Sequence, residues 1–372
     1  MAIDDLGTRR AKYFVLSGLL AQVSNTELTT LLGDSGSAGG WGTTATIVVG
    51  RTKVFVKRVP VMDVEYDNMF STANHYDLPT FYNYGVGSAG FGVFRELVAH
   101  VKTTNWVLDG SEPNFPLMYH YRIMPTPASE EVMDEERHNG YVKYWNGDPG
   151  IARYKRDRHA ARFQLVLCLE HFPHVLGGWL PHHVEGSEVV IREMRRTLAF
   201  LREHGIVHFD VHFGNILVNH GIPYLSDFGL VLDKSFALST PELAFFKRHA
   251  DYDDAEFFLC LGSILHSLYR DLSATSRKKL AKRYGIGDDP PFRELIGLLM
   301  DNMEEIRAMG IWKLPDAYIS EVARHRGVID SLQAFFNAMR ENPRKDTRYP
   351  ERKMRQLFQQ ADAGQAAGEQ PA

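Results

Sequence analysis

The sequence predicts an α+β protein with two lobes, a β-rich first half and a helical second half. Two β-branched runs, TTATIVV and KVFVKRV, meet at Gly50-Arg51 and read as a hairpin. From Ser187 onward, apolar residues recur at helical spacing. Between these regions, residues 205–231 (GIVHFDVHFGNILVNHGIPYLSDFGLV) set His208, Asp210, His212, Asn215 and Asp227 at the ends of short apolar runs. The 372 residues fit one large two-lobed domain or two domains. The expected division is 1–170 for the first lobe, 171–360 for the helical lobe and 361–372 for a tail, with an insertion near 126–162.

In chain order, residues 13–32 alternate helical and loop signals. Gly33, Gly36, Gly39, Gly40 and Gly42 then form a flexible entrance to the hairpin. Residues 60–90 read as irregular, broken by Pro79, Gly85, Gly87 and Gly90 and rich in Tyr and Phe. Residues 93–108 carry a helical stripe of Val93, Leu97, Val101 and Trp106. Residues 117–124 and 163–169 read as strands. The acidic stretch 130–136 and the basic stretch 153–162 between them read as solvated surface loops. Ser187 serves as the expected N-cap of a helix whose apolar face is Val190, Ile191, Met194, Leu198 and Leu201, closed by Gly205. Residues 254–270 predict another apolar helix, and helical patterns continue to about Leu357. The tail, ADAGQAAGEQPA, reads as disordered.

Composition is that of a soluble globular chain, 44% hydrophobic and 24% charged. A net charge of −4 gives no reason to expect nucleic-acid or acidic-membrane binding. Cys168 and Cys260 both sit in apolar runs and read as reduced core residues. The opening MAIDDLGTRR has no apolar core of a signal peptide, and the longest apolar run, 257–265, is too short to span a bilayer. A cytoplasmic protein is expected.

His208, Asp210 and Asn215 give H-x-D-x-x-x-x-N, and Asp227-Phe228-Gly229 follows twelve residues after Asn215. This pair of motifs, after an amphipathic helix and before Thr240-Pro241-Glu242, resembles the catalytic loop and metal-binding motif of protein-kinase-like phosphotransferases. The resemblance covers roughly residues 30–270. It implies a two-lobed kinase-like fold with ATP and Mg²⁺ as cofactors. Phosphoryl transfer needs an aligned hydroxyl, neutralised phosphate charge and excluded water rather than covalent chemistry. Asp210 would accept or orient the substrate proton, and Asn215 and Asp227 would supply hard oxygen ligands for Mg²⁺. His208 reads as a packed brace of the loop.

The resemblance also assigns parts to the first lobe. Lys57 resembles the strand lysine that holds the α- and β-phosphates, with Phe55 where a small alanine is usual. Glu96 is the expected helix partner of Lys57, and Glu65 its rival. Gly36, Gly39, Gly40 and Gly42 would cover the phosphates with backbone N–H groups, with Trp41 at the loop tip. Glu170 and Phe172 would read adenine through their backbone, ahead of a flexible hinge exit at Gly177-Gly178. Asp254 resembles the aspartate that hydrogen-bonds the catalytic-loop backbone, with Asp251 as a substitute.

Two acceptor classes compete, and protein Ser/Thr hydroxyls are the expected one, with a small molecule as the alternative. Asp227-Phe228-Gly229 followed by Thr240-Pro241-Glu242 looks like a protein-kinase activation segment and favours protein Ser/Thr hydroxyls. His212 and Gly214, in D-V-H-F-G-N, look like the loop of aminoglycoside and choline phosphotransferases and favour a small molecule. An open groove beside residues 230–245 would suit a peptide, and an acidic pocket a cationic metabolite. A nucleotide-binding pseudokinase is a third reading. Phe209 stands where many regulated protein kinases carry Arg, so control by activation-loop phosphorylation is not expected. Neither nucleic acid nor a membrane is an expected partner, and the sequence sets no oligomeric state.

Overall fold

The computed structural model describes residues 6–33, 37–39, 42–127 and 132–368. Helices α1 (Leu6–Gln22) and α2 (Asn25–Leu32) open the chain. Strands β1 (Ser37–Gly39), β2 (Gly42–Val49) and β3 (Thr52–Val61) follow, then the short helix α3 (Asp63–Asp67) and the long helix α4 (Val93–Asp109). Strand β4 (Met118–Pro125), helices α5 (Glu135–Tyr144) and α6 (Pro149–His159), and strand β5 (Phe163–Glu170) complete this half. The five strands form one antiparallel sheet in the order β1-β2-β3-β5-β4. The fold is thus α+β, with the expected β2–β3 hairpin turning at Gly50.

The second half begins with β6 (His174–Val175) and α7 (Leu176–Trp179). The 17-residue helix α8 (Ser187–Glu203) leads into β7 (Ile206–Val207), β8 (Ile216–Asn219), β9 (Ile222–Leu225) and β10 (Leu232–Asp233). These strands make two small ladders, β10-β7 and β6-β8-β9, that frame residues 208–215 and 226–231. Helices α9 (Thr240–Arg248) and α10 (Tyr252–Arg270) follow. Then come α11 (Ala274–Tyr284), α12 (Phe292–Asp301), α13 (Met303–Ala308), α14 (Asp316–Arg324), α15 (Arg326–Glu341) and α16 (Glu351–Gly368). Among the described residues no helix is long and apolar enough to cross a membrane.

Several expectations change. Helix α16 runs to Gly368, so most of the tail expected to be disordered is helical, propagated by its Ala and Gln from a helix that buries Met354 and Ala361. Gly186, not Ser187, precedes α8, and Ser187 is fully buried in its first turn. Val101 in α4 is exposed; Phe94, His100 and Val107 take its place on the buried face. Gly177 and Gly178 lie in α7 rather than in an open hinge. The charged stretches 135–136 and 153–159 belong to α5 and α6, which bury Trp145, Ile151 and Tyr154; residues 128–131 are outside the described residues.

The largest deviation is the segment between β3 and α4. It is irregular as expected but buried. Tyr76, Leu78, Tyr82, Tyr84 and Phe91 form an apolar core with Trp145 and Tyr154 of the insertion and with Phe209, Phe245, Tyr252 and Phe335. At its centre His249 Nδ1 donates to the Phe245 carbonyl (2.6 Å), which leaves Nε2 to accept from the Tyr84 hydroxyl (2.7 Å). Burial holds this imidazole down at about 3. In the unfolded chain it titrates near its ordinary value of about 6.5, so the unfolded state takes the proton first. The stabilisation is complete above about 6.5 and drains as the pH falls toward 3, by about 1.4 kcal/mol per unit. Stability measured by urea unfolding should fall between pH 6.5 and 5, with a shallower slope in His249→Gln. Parallel slopes would remove His249 as the source.

Candidate functional site

Asp210, His212, Asn215 and Asp227, set at the ends of the short strands of residues 205–231, line a cleft. Its volume is about 700 Å³, and Lys57, Glu96, Glu170, Asp210, Asn215 and Asp227 all border it.

Lys57 sits on β3 between Thr44 and Leu167 in register and shares its strand face with Phe55 and Val59, opposite the fully buried Val54 and Val56, so it points into the cleft. Its ammonium lies 2.7 Å from Glu96 Oε1 on α4 and 2.8 Å from Asp227 Oδ1. Burial alone would lower the lysine, but the two carboxylates outweigh it and raise it well above its usual range. Conversely, burial would raise Asp227, yet Lys57 holds it at about 2. Asp227 has a left-handed backbone (φ 62°), a conformation that costs a non-glycine residue about 1–2 kcal/mol. Its Oδ1 also accepts from the Gly229 amide (3.2 Å). Glu65, the rival for Lys57, is buried elsewhere: its carboxylate accepts from the Val93 amide (2.8 Å) and the Met62 amide (3.1 Å).

Asp210 sits on the facing loop. Asn215 Nδ2 donates to its Oδ2 (2.8 Å) and to its carbonyl (3.0 Å), which fixes the two residues as a unit. His212 Nε2 is 3.7 Å from Oδ1. Burial raises Asp210 to about 6, against the opposing pull of His212 and Asn215. His208 is fully buried, held down at about 4 by that burial, and its Nε2 donates to the Ser226 carbonyl (3.1 Å). It braces the Asp210 loop against the Asp227 segment.

The loop's brace from α10 is Asp253, which corrects the expectation for Asp254 and Asp251. Its carboxylate accepts from the amides of His208 (2.7 Å) and Phe209 (2.9 Å), and Glu256 accepts from the Val211 amide (2.8 Å). Asp254 instead pairs with Arg202 on α8 (2.5 Å).

Of the glycine-rich entrance, Gly36, Gly40 and Trp41 lie outside the described residues. Gly39 ends β1 and pairs with Gly42, which opens β2. A Cβ at Gly42 would fall 2.5 Å from the Arg58 carbonyl, so the hairpin lies tight on β3. Thr44, Thr46 and Phe55 line the cleft beneath it. At the other end Glu170, His171 and Phe172 line the cleft, while the Glu170 side chain turns to Arg9 of α1 (2.7 Å). Arg9 also donates to the Pro113 and Phe115 carbonyls, so α1 pins the end of β5.

Phe209 is fully buried, its ring stacked 5.4 Å from Phe245. Residues 227–242 are tied down without added charge. Arg95 pairs with Glu242 (2.7 Å), both nearly inaccessible, and Lys102 pairs with Asp233. Ser239 and Glu242 form a capping box on α9. Any turnover this cleft supports is therefore expected to survive phosphatase treatment and Ser235→Ala/Thr240→Ala. Ser239 is kept in this variant because losing its cap alone costs about 1 kcal/mol. Loss of turnover on dephosphorylation, restored by rephosphorylation, would overturn this.

Sequence reasoning missed Gly85, Ser88, Ala89, Tyr154 and Arg158, all of which border the cleft. Signals for both groups exist. The run of Gly85, Gly87, Gly90 and Gly92 marks a backbone with room for close approach, which Gly85 and Gly90 make. Ile151, Tyr154 and Arg158 fall at i, i+3, i+7 on one helical face. No protein-family model matches the chain, and no curated protein matches it.

Proposed function

We propose that the chain is an ATP- and Mg²⁺-dependent phosphotransferase of the protein-kinase-like superfamily, with its β-rich sheet and its helical half as the two lobes. The observation that carries this is the Lys57–Glu96–Asp227 ion triad facing the Asp210–Asn215 unit across one cleft. Four separate chain segments converge there, and an architecture built for stability alone has no need of so many buried charges.

In this reading Lys57 binds phosphate oxygens and Glu96 holds it in place. The backbone of Glu170 and Phe172 meets adenine, and Gly39 and Gly42 belong to the loop over the phosphates. Asn215 and Asp227 would hold Mg²⁺. The donor set fits: Asn215 turns its Nδ2 to Asp210 and so presents Oδ1, and the Asp227 side chain stays 39% exposed. Among the described residues no three-acid or histidine cage exists. Two oxygen ligands suit an ion that keeps waters and substrate phosphates around it. Bound there, Mg²⁺ supplies charge neutralisation at the phosphates. Asp210 orients the acceptor hydroxyl and takes its proton. Protein Ser/Thr hydroxyls and small-molecule hydroxyls are both served by this machinery.

The test is the full chain with γ-labelled ATP and Mg²⁺. Metal-dependent release or transfer of label is expected, and Asp227→Ala should abolish it while weakening MgATP binding by calorimetry. ATP binding without metal-dependent turnover would make the chain a pseudokinase. Unchanged Mg²⁺-dependent affinity in Asp227→Ala would remove Asp227 as a ligand.

A further inference from the structure

Residues 85–90 run along the reacting side of the cleft, and Gly85, Gly87, Ser88 and Ala89 line it beside Asp210 and Asp227. The close contacts are made by main chain. A Cβ at Gly85 would stand 2.7 Å from Asp210 Oδ1, and one at Gly90 would stand 2.3 Å from the Gly229 carbonyl. The other Asp210 oxygen, Oδ2, accepts from Asn215 Nδ2 (2.8 Å). Backbone thus packs on the oxygen that Asn215 leaves open. What reaches that oxygen is set by where residues 85–90 stand.

Residues 85–90 form neither helix nor strand. Their carbonyls are taken by the inserted helices. Tyr144 and Tyr141 of α5 donate to the Val86 and Gly87 carbonyls (3.0 Å each), and Tyr154 of α6 donates to the Ala89 carbonyl (3.1 Å). The Ala89 amide donates to Tyr82 Oη (3.2 Å), which lies 2.5 Å from Tyr141 Oη. Tyr141 spends its proton on Gly87, so Tyr82 donates to Tyr141. A continuous chain of donors then runs from the Ala89 amide through two hydroxyls to the Gly87 carbonyl. Burial pushes Tyr82, Tyr141 and Tyr154 above the ordinary phenol range, so they stay protonated as donors at neutral pH.

The frame behind these hydroxyls is fixed. Trp145, at the end of α5, is fully buried, with the Tyr82 ring edge-on at 4.8 Å. Gly85 and Gly87 themselves are exposed. Water can satisfy the carbonyls of an exposed turn at little cost, so stability alone does not call for three tyrosines on three carbonyls within four residues. Their common effect is to fix the loop's position over Asp210.

Resting on the phosphotransferase reading, we propose that Tyr141, Tyr144 and Tyr154 are positioning residues that hold residues 85–90 as a shield between Asp210 and water. A phosphotransferase loses its nucleotide to hydrolysis unless water is kept from the γ-phosphoryl group. In the suppressed reaction, the bond from the γ-phosphorus to the β–γ bridging oxygen breaks and a bond to a water oxygen forms. One water proton passes to Asp210, and ADP and phosphate leave.

The experiment follows phosphate release from γ-labelled ATP and Mg²⁺ by the full chain with no acceptor added, alongside ATP affinity by calorimetry. Tyr141→Phe/Tyr144→Phe/Tyr154→Phe keeps the rings and removes the three hydrogen bonds. The hydrolysis kcat is expected to rise by about 5–100-fold, with ATP affinity unchanged. A merely structural role would lower stability without raising hydrolysis. Unchanged or lower hydrolysis therefore overturns the proposal, as does a change in ATP affinity that matches the change in rate. If the triple variant does not fold, Gly87→Ala decides. Gly87 has φ +106° and nothing within 4 Å of a Cβ, so alanine strains the turn without touching a neighbour. The same rise is expected there, and its absence overturns the proposal. Metal-dependent ATP binding with no hydrolysis by wild type or variant also overturns it. Absence of metal-dependent ATP binding overturns the phosphotransferase reading beneath it.

Discussion

Replacing Asp210 with Asn should lower phosphoryl transfer by roughly 10²–10⁴-fold and leave nucleotide binding largely intact. The substitution keeps the shape of the side chain. An Asn oxygen can still accept from Asn215 Nδ2, which lies 2.8 Å from Asp210 Oδ2, so the loop geometry has no reason to move. What disappears is the negative charge and the capacity to take a proton. Burial raises Asp210 only to about 6, so the wild-type carboxylate is ionised at neutral pH and available as an acceptor. Lys57 and Asp227, which carry the proposed contacts to nucleotide and metal, touch each other rather than Asp210. The split is therefore kcat without ATP affinity, read by turnover and calorimetry on the same preparation. Near-wild-type turnover would remove Asp210 from the chemistry. A matched loss of ATP affinity would mean that it holds the loop rather than the proton.

The parts of this molecule that were legible in sequence are those with a period or a fixed spacing. Alternation in 43–59 sets the hairpin and turns Lys57 inward. The 3.6-residue period of 187–201 sets α8, and the spacing from Asp210 to Asn215 and Asp227 places three side chains in one cleft. What was not legible depended on tertiary choice. Glu96 reads as the better partner for the strand lysine, yet no local pattern excludes Glu65. The difference is that Glu65 is consumed by the Met62 and Val93 amides where α4 begins. Residues 72–92 have neither period, so their tyrosines read as loop composition, although they build a core with helices far along the chain. The insertion was hidden by its charge: the many Lys, Arg and Glu of 135–159 mask a buried stripe on α6. Its place beside the cleft follows from packing that no local pattern records.

Asp253 and Asp254 show the same limit at a single residue, and the structure makes them separable. In the first turn of α10 the two carboxylates are neighbours, about 100° apart around the helix axis, and composition does not say which faces the loop. Asp253 faces it and accepts the His208 and Phe209 amides. Phe209 is held at φ 64°, a left-handed conformation for a bulky residue, with its ring fully buried. Such strain persists only where the surroundings enforce it. Asp253→Ala leaves two buried amides without acceptors, at about 1–3 kcal/mol each, and releases the hydrogen bond that holds the Phe209 amide. A loss of about 2–5 kcal/mol by urea denaturation is expected, with a fall in turnover because Asp210 is the next residue along. Asp253→Asn, which retains one acceptor oxygen, should recover part of both. Asp254→Ala breaks a pair with the partly exposed Arg202, so a cost of at most about 1 kcal/mol follows, with turnover retained. If Asp254→Ala proves the more damaging, the loop is braced from the other carboxylate. If Asp253→Ala loses stability but keeps full turnover, the left-handed geometry at Phe209 is not what positions Asp210.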